Sequence, residues 1–331
     1  MRVISMDPFL PQISIIICTN RAPESIYGLF LSIHHQSALE KCEVILVDNG
    51  IDQSRVGKVR LLLAQLRCSS LYLDEPRPGL WHARRSAFAR ARGEWLLLLD
   101  DDNELAEMAI QNLLSFVATH HNVGGISPRV VARWQCQPAI WLQRFGTCCL
   151  SFTESGPYTS NYGETIWTHP SVPKIRPPGG GMIVHRRIAE AFLANFLLLP
   201  SEITQPAVPC EDHAIYCGVG RCGMGAAYVP TIVVYHHLDG ARTSLAALTR
   251  LNFRMIRGYG LFTPFESVFS GYYKGWLRLI GGFVAGELRL TMLHPKSWWL
   301  VLVRVAAFFV GVTQGVTLRK AAGRRGAGQD D

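Results

Sequence analysis

The sequence predicts an α/β fold in which a largely parallel central sheet carries helices on both faces. Short apolar runs that fit buried strands alternate four times with stretches that fit helices, and this alternation is typical of βαβ units. Three of the predicted strands end in polar residues, with the sequences "TNR", "DNG" and "DDD". Because ligands of such sheets bind beyond the carboxyl ends of the strands, this edge is predicted to be the functional site.

The individual elements follow from the spacing of the apolar residues in chain order. The predicted strands are residues 13–18, 42–48, 70–75 and 95–99. The predicted helices are residues 25–36, 56–66 and 80–93, with Gly93 as a C-cap. A fourth helix is expected directly after the aspartates, with one face formed by Leu105, Met108, Ala109 and Leu113.

Beyond Arg129 the alternation stops. Residues 132–178 are irregular and rich in Trp, Gln, Ser, Thr, Tyr and Pro, and a connection of this length is usually functional. Three further elements are expected after it: a strand in "GGGMIVH", a helix in "EDHAIYCGVGRCG" that ends in glycine, and one or two strands in "AAYVPTIVVYHH".

Charge is distributed unevenly along the 331 residues, which carry a net charge of +8. From Arg242 onward 13 basic and 4 acidic residues give +9, whereas the first 241 residues carry 20 basic and 21 acidic residues, a net −1. The same final quarter is rich in Trp, Phe, Leu and Val. Basic and apolar residues together favour a membrane surface, and the near-neutral remainder argues against nucleic-acid binding.

Nine cysteines show no regular spacing, so neither a zinc ribbon nor a disulfide scaffold is expected, and the thiols are predicted to be reduced. The N-terminal residues lack the apolar segment of a signal peptide. Both features favour a cytoplasmic protein.

Asp100, Asp101 and Asp102 directly follow the fourth strand. Crowded carboxylates repel and burial raises their pKa values, so a positive group is expected beside them. One alternative is a helix N-cap formed by Asp102 or Asn103. The other is Mg²⁺ or Mn²⁺, which binds one or two carboxylates and completes its shell with water and phosphates. On an extended segment Asp100 and Asp102 would point the same way, so one would face the ion and the other a ribose hydroxyl.

Six motifs in order, over about residues 13–238, carry a resemblance to a known family: "SIIICTNR", "VDNG", "PGLWHARRSAFARARGEWLLLLDDD", "PPGGGMIVHRR", "EDHAIYCGVGRCG" and "YVPTIVVYHH". The sequence resembles the family 2 glycosyltransferases, which have the Rossmann-like GT-A fold. The resemblance implies inverting, metal-dependent transfer of a sugar from a UDP-, GDP- or dTDP-sugar to a hydroxyl of a glycan or lipid-linked acceptor. Cell-surface polysaccharide or glycolipid assembly is the expected setting.

The resemblance also implies roles for individual residues. The D-x-D pair is Asp100 and Asp102, with Asp102 as the metal ligand. Arg85 departs from the Ala-Arg-Asn that the family often has, and contacts either the diphosphate or solvent. Asp48 would lie near the base of the nucleotide and Arg84 near the nucleotide. The full set expected to bind the nucleotide-sugar is Thr19, Asn20, Arg21, Asp48, Arg84, Asp100, Asp101, Gly180 and Gly181.

A general base and further metal ligands are expected in the second half of the chain. Glu211 and Asp212 open a predicted helix, where acidic residues also complement the helix dipole; the resemblance implies that Asp212 is the base. Of His236 and His237, one is expected to bind the metal or the diphosphate and the other to point away, because strand side chains alternate; a structural histidine is the alternative. The triple glycine at 179–181 would let backbone approach a sugar, or else form a bulge or turn.

The C-terminal region combines apolar and basic stretches. Residues 297–316 are long enough to span a bilayer, but Arg304 near their middle would be costly there. Residues 276–290 are shorter and carry three charges. Helices lying in the cytoplasmic interface are therefore favoured, with a single span and a homodimer interface as alternatives. The basic residues expected on anionic head groups are Arg319, Lys320, Arg324 and Arg325.

Two domains are predicted: a GT-A domain over residues 1–262, and a membrane-associating or dimerising helical region over residues 263–331. Within the first, residues 13–131 form the nucleotide-sugar half and residues 132–240 the acceptor half. A nucleotidyltransferase is disfavoured because "CTNRAPES" after the first strand has no glycine. "GVGRCG" at 218–223 follows a helix, so it is no dinucleotide fingerprint. The remaining alternative is a non-catalytic, membrane-bound nucleotide- or carbohydrate-binding module.

Overall fold

The computed structural model describes residues 10–50, 53–142, 150, 153–155, 158–159, 165–167, 179–266 and 295–326. The strands are β1 (Ile13–Thr19), β2 (Cys42–Asp48), β3 (Ser69–Asp74), β4 (Trp95–Asp100), β5 (Asn103–Leu105), β6 (Val123–Trp134), β7 (Glu154–Ser155), β8 (Tyr158–Thr159), β9 (Thr165–Trp167), β10 (Ile183–His185) and β11 (Gly225–Leu238). The α-helices are α1 (Pro23–His34), α2 (Val56–Ala64), α3 (Leu80–Phe88), α4 (Ala109–Val117), α5 (Arg186–Phe196), α6 (Glu211–Arg221), α7 (Leu245–Phe262) and α8 (Pro295–Gly326).

The strands form one sheet; eight of them lie in the order β3-β2-β1-β4-β10-β6-β11-β5, while β7 pairs with β6 and β8, and β9 pairs with β11. β1 lies between β2 and β4 and is parallel to both, and β6 is parallel to β11. The short strand β10 runs antiparallel between β4 and β6. The predicted α/β fold with a mostly parallel sheet is confirmed.

Helices cover the sheet on both faces because the side chains of each strand alternate between them. Along β1, Ile13, Ile15 and Ile17 belong to one hydrophobic cluster, whereas Ile16 and Cys18 belong to the other. All seven residues of β1 are buried. An apolar run without polar alternation is what a strand buried on both faces requires.

The region after the aspartates differs from the prediction. No helix begins there; instead β5 pairs antiparallel with β11, and α4 begins only at Ala109 with Met108 as its N-cap. Neither Asp102 nor Asn103 caps a helix, so the N-cap interpretation of the aspartates is wrong. Met108, predicted to face the core, is 48% exposed. The apolar spacing could not reveal β5, because its pairing partner lies about 130 residues further along the chain.

Gly93 is not a helix C-cap, which corrects the prediction. α3 ends at Phe88 with Ala89 as the C-cap, four residues before Gly93. A Cβ at position 93 would lie 2.4 Å from the backbone nitrogen of Ser14, and the Gly93 amide donates to Ser14 Oγ at 2.8 Å. The glycine is needed for close contact between the entry to β4 and β1.

The other glycine-terminated helix follows the prediction. α6 ends at Arg221, and Gly223 just beyond it has a positive φ of 65°. This is the left-handed conformation that glycine adopts without a steric penalty. The segment "GVGRCG" is therefore a helix end.

α8 packs along α7. Arg304 of α8 is 8% exposed and donates from Nη1 to Asn252 Oδ1 of α7 at 2.8 Å. By length and composition the segment Trp298–Ala321 could cross a membrane, and 44% of its most apolar window is buried within the protein. Residues 276–290 and the side chains of Arg324 and Arg325 lie outside the described part of the chain.

Glycines set the distance between these two helices. A Cβ at Gly311 of α8 would lie 2.1 Å from the backbone oxygen of Arg257, and a Cβ at Gly315 would lie 2.3 Å from that of Leu261. On the α7 side, a Cβ at Gly260 would lie 2.3 Å from the backbone oxygen of Phe308. The two backbones are in direct contact, which only small residues allow.

Gly311→Ala is therefore expected to lower the free energy of unfolding by about 1–3 kcal/mol, because the added methyl group forces the helices apart. Gly57→Ala is the matched control, since Gly57 also lies in a helix but a Cβ there would meet nothing within 4 Å. The control should be neutral or stabilising by up to about 1 kcal/mol. Urea denaturation of both variants checks this; equal midpoints would contradict the close packing of α7 and α8.

Candidate functional site

The carboxyl ends of the central strands open into one cavity of about 620 Å³, here called the central cavity. Four parts of the chain meet there: the end of β1, the aspartates after β4, the start of α6, and the end of β11. The start of α3 and much of α7 complete its wall. The cavity is lined by ten of the residues expected from the sequence: Thr19, Asn20, Arg21, Arg84, Asp100, Asp101, Asp102, Glu211, Asp212 and His236.

The three aspartates diverge because the extended strand ends at Asp100. Asp101 and Asp102 form a turn, closed by a hydrogen bond from the Asp100 amide to Asn103 Oδ1 at 2.9 Å. The expectation that Asp100 and Asp102 share an extended geometry is therefore wrong. Each of the three carboxylates contacts a different set of positive or donor groups, and this separates the like charges.

Asp101 faces the end of β1. Its Oδ2 accepts a hydrogen bond from Thr19 Oγ1 at 2.7 Å, and its Oδ1 forms an ion pair with Arg21 Nε at 3.0 Å. Burial raises the pKa of Asp101, while Thr19 and Arg21 oppose that rise. Thr19 also accepts from the Arg21 amide at 3.0 Å. These bonds tie the middle aspartate to the neighbouring strand.

Asp102 has the most positive surroundings of the three. Its Oδ2 lies 2.8 Å from Arg242 Nη1 and 3.2 Å from Arg21 Nη2, and its Oδ1 lies 3.4 Å from His236 Nε2. Burial tends to raise the pKa of Asp102, but His236, Arg242 and Arg21 outweigh it and hold the pKa well below the ordinary value. Asp102 is therefore ionised throughout the neutral range.

Asp100 and Glu211 share a buried arginine. The side chain of Arg84 is 3% exposed; its Nη1 lies 3.2 Å from Glu211 Oε1 and its Nη2 lies 3.5 Å from Asp100 Oδ1. Burial tends to lower the pKa of Arg84, but the two carboxylates raise it above its ordinary value. Burial raises the pKa of Glu211 to about 7, despite the attraction of Arg84. The pKa of Asp100 is also raised by burial, against the effect of Arg84.

Asp212 differs from its neighbour Glu211. It is partly exposed, while Glu211 is 4% exposed. Its Oδ1 accepts from the His213 amide at 2.7 Å, and its Oδ2 accepts from the Tyr259 hydroxyl at 3.4 Å. Both acids line the central cavity, but Asp212 has no arginine partner among the ion pairs of the described residues. Its carboxylate is the more accessible proton acceptor.

The triple glycine at 179–181 passes close to the side chains of Asp100 and Arg84. A Cβ at Gly180 would lie 2.6 Å from Asp100 Oδ2 and 2.4 Å from Asn103 Oδ1, and one at Gly179 would lie 2.9 Å from Arg84 Nη2. Gly181 has a φ of 98° and donates its amide to Leu98 O at 2.6 Å. Gly179 lines the central cavity, and Gly180 and Gly181 do not. Of the three glycines, Gly179 is therefore the one whose backbone a ligand in the central cavity could approach closely.

Asp48 also lies outside the lining of the central cavity. It is 1% exposed, its carboxylate accepts from the Tyr72 hydroxyl, and it accepts from the Gly50 amide at 3.0 Å. Burial, together with the Asp48 carboxylate, raises the pKa of Tyr72. The next residue, Asn49, does line the cavity; its Oδ1 accepts from the Gly79 amide at 2.7 Å and orders the loop that leads into α3.

The two histidines point in opposite directions, as the strand alternation predicts. His236 is 6% exposed and lines the central cavity. His237 is exposed, and its Nε2 lies 3.0 Å from Glu104 Oε2. It lines a second cavity of about 710 Å³, which shares Arg21, Asp101 and Asp102 with the central one. Of the two imidazole rings, that of His236 is the one beside the Asp102 carboxylate.

Among the polar residues of the central cavity that sequence reasoning missed, two contact its acidic side chains. No site role was predicted for Arg242, which only marks the start of the basic final quarter, yet its guanidinium group contacts Asp102. Tyr259 of α7 contacts Asp212, although α7 follows the last motif of the resemblance. No local pattern marks either residue, because each reaches the cavity through the packing of α7 and the short helix Gly240–Thr243 against the sheet.

A comparison with known protein families gives a match over part of the chain. Residues 14–172 match the glycosyl transferase family 2 profile. Residues 14–172 thus carry a glycosyl transferase family 2 domain. The match covers β1 through the aspartates and part of the region before the triple glycine. No curated protein sequence matches the chain.

Solved structures similar to this chain include a mannosyltransferase. The mannosyltransferase PcManGT from Pyrobaculum calidifontis, solved with GDP-Man and Mn²⁺, is 15% identical with a TM-score of 0.54, over 93% of this chain and 88% of that chain. TarS residues 1–349 from S. aureus, solved with UDP, is 12% identical with a TM-score of 0.49, over 94% of this chain and 92% of that chain. The family 2 domain has the GT-A fold that the resemblance implied.

Proposed function

We propose that this family 2 glycosyltransferase transfers a sugar, with inversion, from a nucleotide-diphosphate donor to a hydroxyl of a glycan or lipid-linked acceptor, in cell-surface polysaccharide or glycolipid assembly. The observation that carries the proposal is the convergence of Asp100, Asp102, Arg84 and Asp212 on one cavity. In this arrangement phosphate-binding groups and a proton acceptor would lie within reach of one nucleotide-sugar.

The donor would lie along the ends of β1 and β4. Arg21 and Arg84 line the central cavity, and guanidinium groups bind phosphate through paired hydrogen bonds. Asn20 and Asn49 line the side next to the Gly79 turn, where we place the nucleoside. Gly179 would allow backbone to approach the sugar.

Asp102 and His236 would hold the divalent cation, either Mg²⁺ or Mn²⁺. The residues fit such an ion: Asp102 is ionised, its Oδ1 and His236 Nε2 are 3.4 Å apart, and Mn²⁺ accepts both carboxylate and imidazole ligands. Such a cation, when bound, neutralises charge that develops on the leaving diphosphate. Arg21 and Arg242 now contact the other oxygen of Asp102, and they are available to a phosphate oxygen.

Asp212 would accept the proton of the attacking hydroxyl. An acid serves as base when it reaches that hydroxyl directly, and Asp212 is the more exposed acid at the start of α6. Glu211 would act as the counter-charge of Arg84 and keep that guanidinium oriented toward Asp100. Tyr259 would orient the Asp212 carboxylate through its hydroxyl.

A membrane-delivered acceptor is supported by the surface of α8. Large apolar side chains are exposed along it, among them Trp298, Trp299 and Leu302, which are 59%, 53% and 65% exposed. Arg319 and Lys320 lie near its C-terminal end. Aromatic and basic residues together favour the cytoplasmic face of a membrane, peripheral or monotopic. The same apolar face is also suited to a homodimer contact.

The experiment that tests the proposed donor site is thermal stability against UDP, GDP and dTDP, each with and without Mn²⁺. A nucleotide at about 100 times its dissociation constant should add roughly 2.7 kcal/mol, a shift on the order of 5 °C. A metal-dependent shift with one nucleotide supports the transferase. Transfer-inactive protein that still shifts would favour the alternative, a non-catalytic nucleotide-binding module.

The two adjacent histidines provide a matched test of the metal site. His236→Ala is expected to lose most of the Mn²⁺-dependent part of the nucleotide shift, because it removes one of two protein ligands. His237→Ala is expected to retain it, because that ring contacts Glu104 outside the central cavity. Equal losses in both variants, or none in His236→Ala, would contradict the assignment of His236.

A further inference from the structure

A histidine and a cysteine of α6 lie close to a glutamate that follows α7. His213 and Cys217 are four residues apart on that helix, so both side chains lie on one face. Glu266 follows the short helix Thr263–Phe265 at the end of α7. One ligand atom from each of the three lies within 4.8 Å of the other two, and among the residues that the structure describes this is the only such group of three metal-ligating residues.

Within this cluster the imidazole–carboxylate distance is too long for a direct hydrogen bond and fits a bound ion, while the imidazole–thiol distance fits either. His213 Nε2 lies 3.7 Å from Glu266 Oε2 and 3.7 Å from Cys217 Sγ. A hydrogen bond between imidazole and carboxylate is about 2.7–3.2 Å long. Ligand atoms about 2.0–2.3 Å from a tetrahedral Zn²⁺ are separated by roughly 3.3–3.6 Å. The imidazole nitrogen is therefore separated from both partners by about the edge of a tetrahedral coordination shell.

We propose that His213, Cys217 and Glu266 bind a zinc-type cation. The side chains of His213 and Glu266 are only 9% and 11% exposed, so the ligands are held largely within the protein. Imidazole, thiolate and carboxylate together are a ligand set that Zn²⁺ takes. Thiolate is a poor ligand for Mg²⁺, which distinguishes this site by chemistry from Asp102 and His236.

A cation at this position would connect two elements of the fold. It would join the first turns of α6 to the chain segment just after α7, and so fix the start of α6, which carries Asp212. The rings of Tyr259 and Phe262 pack against the His213 ring, with centroids 5.6 and 5.7 Å away, and the Tyr259 hydroxyl donates to Asp212. The cluster thus positions the helix start that carries Asp212. It does not depend on the proposed transfer reaction.

Cobalt substitution tests the site directly. Full-length protein is stripped with a chelator and titrated with Co²⁺, and thiolate-to-cobalt charge transfer is recorded in the near ultraviolet. The wild type and Cys222→Ser are expected to show this band with about one equivalent of Co²⁺, and Cys217→Ser is expected to lack it. Cys222 is the matched control because it lies one residue beyond the same helix, outside the cluster. Added Zn²⁺ should abolish the band.

Two results would overturn the proposal: no thiolate band in the folded wild type, or a band of equal intensity in Cys217→Ser. If Cys217→Ser does not fold, Glu266→Gln takes its place, with an expected loss of Zn²⁺ affinity of at least about tenfold; unchanged affinity would count against the site. Cobalt bound at Asp102 and His236 alone gives no band that depends on Cys217. Failure of the donor-site experiment therefore leaves this measurement intact.

Discussion

Asp212→Asn is expected to lower the transfer rate by about 10²–10⁴-fold while leaving nucleotide binding unchanged. The magnitude is the usual contribution of a general base. Asparagine keeps the shape of the side chain; its Oδ1 can accept from the His213 amide and its Nδ2 can donate to the Tyr259 hydroxyl, so the main loss is the proton acceptor. The rate is measured as nucleotide release in the presence of acceptor membranes, and binding as the metal-dependent thermal shift.

Two further variants make this result specific. Asp74→Asn removes an exposed aspartate that lines neither cavity, and it should leave both measurements unchanged. Glu211→Gln removes the partner of Arg84, and it should reduce stability as well as activity. Full transfer activity in Asp212→Asn would exclude Asp212 as the base, and if Glu211→Gln then proved inactive but stable, the role would move to Glu211.

Arg84→Met is expected to lower the free energy of unfolding by about 3–5 kcal/mol. Removing one member of a buried ion pair leaves the other charge without compensation or forces it to take up a proton, and here the buried Glu211 and the partly exposed Asp100 lose their contact with the same guanidinium group. Methionine retains much of the side-chain volume, so the loss of stability measures the effect of the missing charge more than that of a cavity. Urea denaturation at pH 8 provides the measurement.

Arg85→Met is the matched control on the same helix. The Arg85 guanidinium lies over the Phe196 ring, 5.0 Å from its centroid, and such a contact contributes on the order of 0.5–1 kcal/mol at a partly exposed site. The control should therefore lose at most about 1 kcal/mol. Equal losses in the two variants would contradict the buried role of Arg84.

The loss in Arg84→Met is also expected to depend on pH. The pKa of Glu211 in the folded protein, about 7, already exceeds its ordinary value of 4.5 because of burial, and removal of the nearby positive charge raises it further. A folded state that holds a proton more tightly than the unfolded chain loses stability as pH rises. The defect should be larger at pH 8 than at pH 5.5, and a defect independent of pH would argue against Glu211 as the partner.

The parallel half of the sheet could be predicted closely from the sequence. β2 spans the predicted residues 42–48, and β1 and β4 each extend one residue beyond the prediction. Strands buried on both faces are continuous apolar runs, so their signal is local. The prediction failed at β5 and at Gly93, where contacts with β11 and β1 decide the conformation. Neither contact leaves a periodic pattern in the sequence.

The candidate site was predictable in part for the same reason. Because the carboxyl ends of parallel strands lie on one edge, the sequence alone predicts that Thr19, Asp100 and Asp102 lie together. It also predicts Glu211 and Asp212 at a helix start. It does not reveal that Arg21, Arg84 and Arg242 contact the three aspartates, since these partners come from distant parts of the chain.

The sequence by itself determined the fold class, the polar edge of the sheet and the acidic residues expected there, because apolar periodicity and strand ends are properties of neighbouring residues. The tertiary structure alone decided which side chains face the central cavity: His236 and not His237, Gly179 and not Gly180, Asn49 and not Asp48. The tertiary structure also places α7 along the wall of the central cavity and Glu266 next to His213. These outcomes depend on the packing of elements that are far apart in the chain, and that packing is set by the whole core.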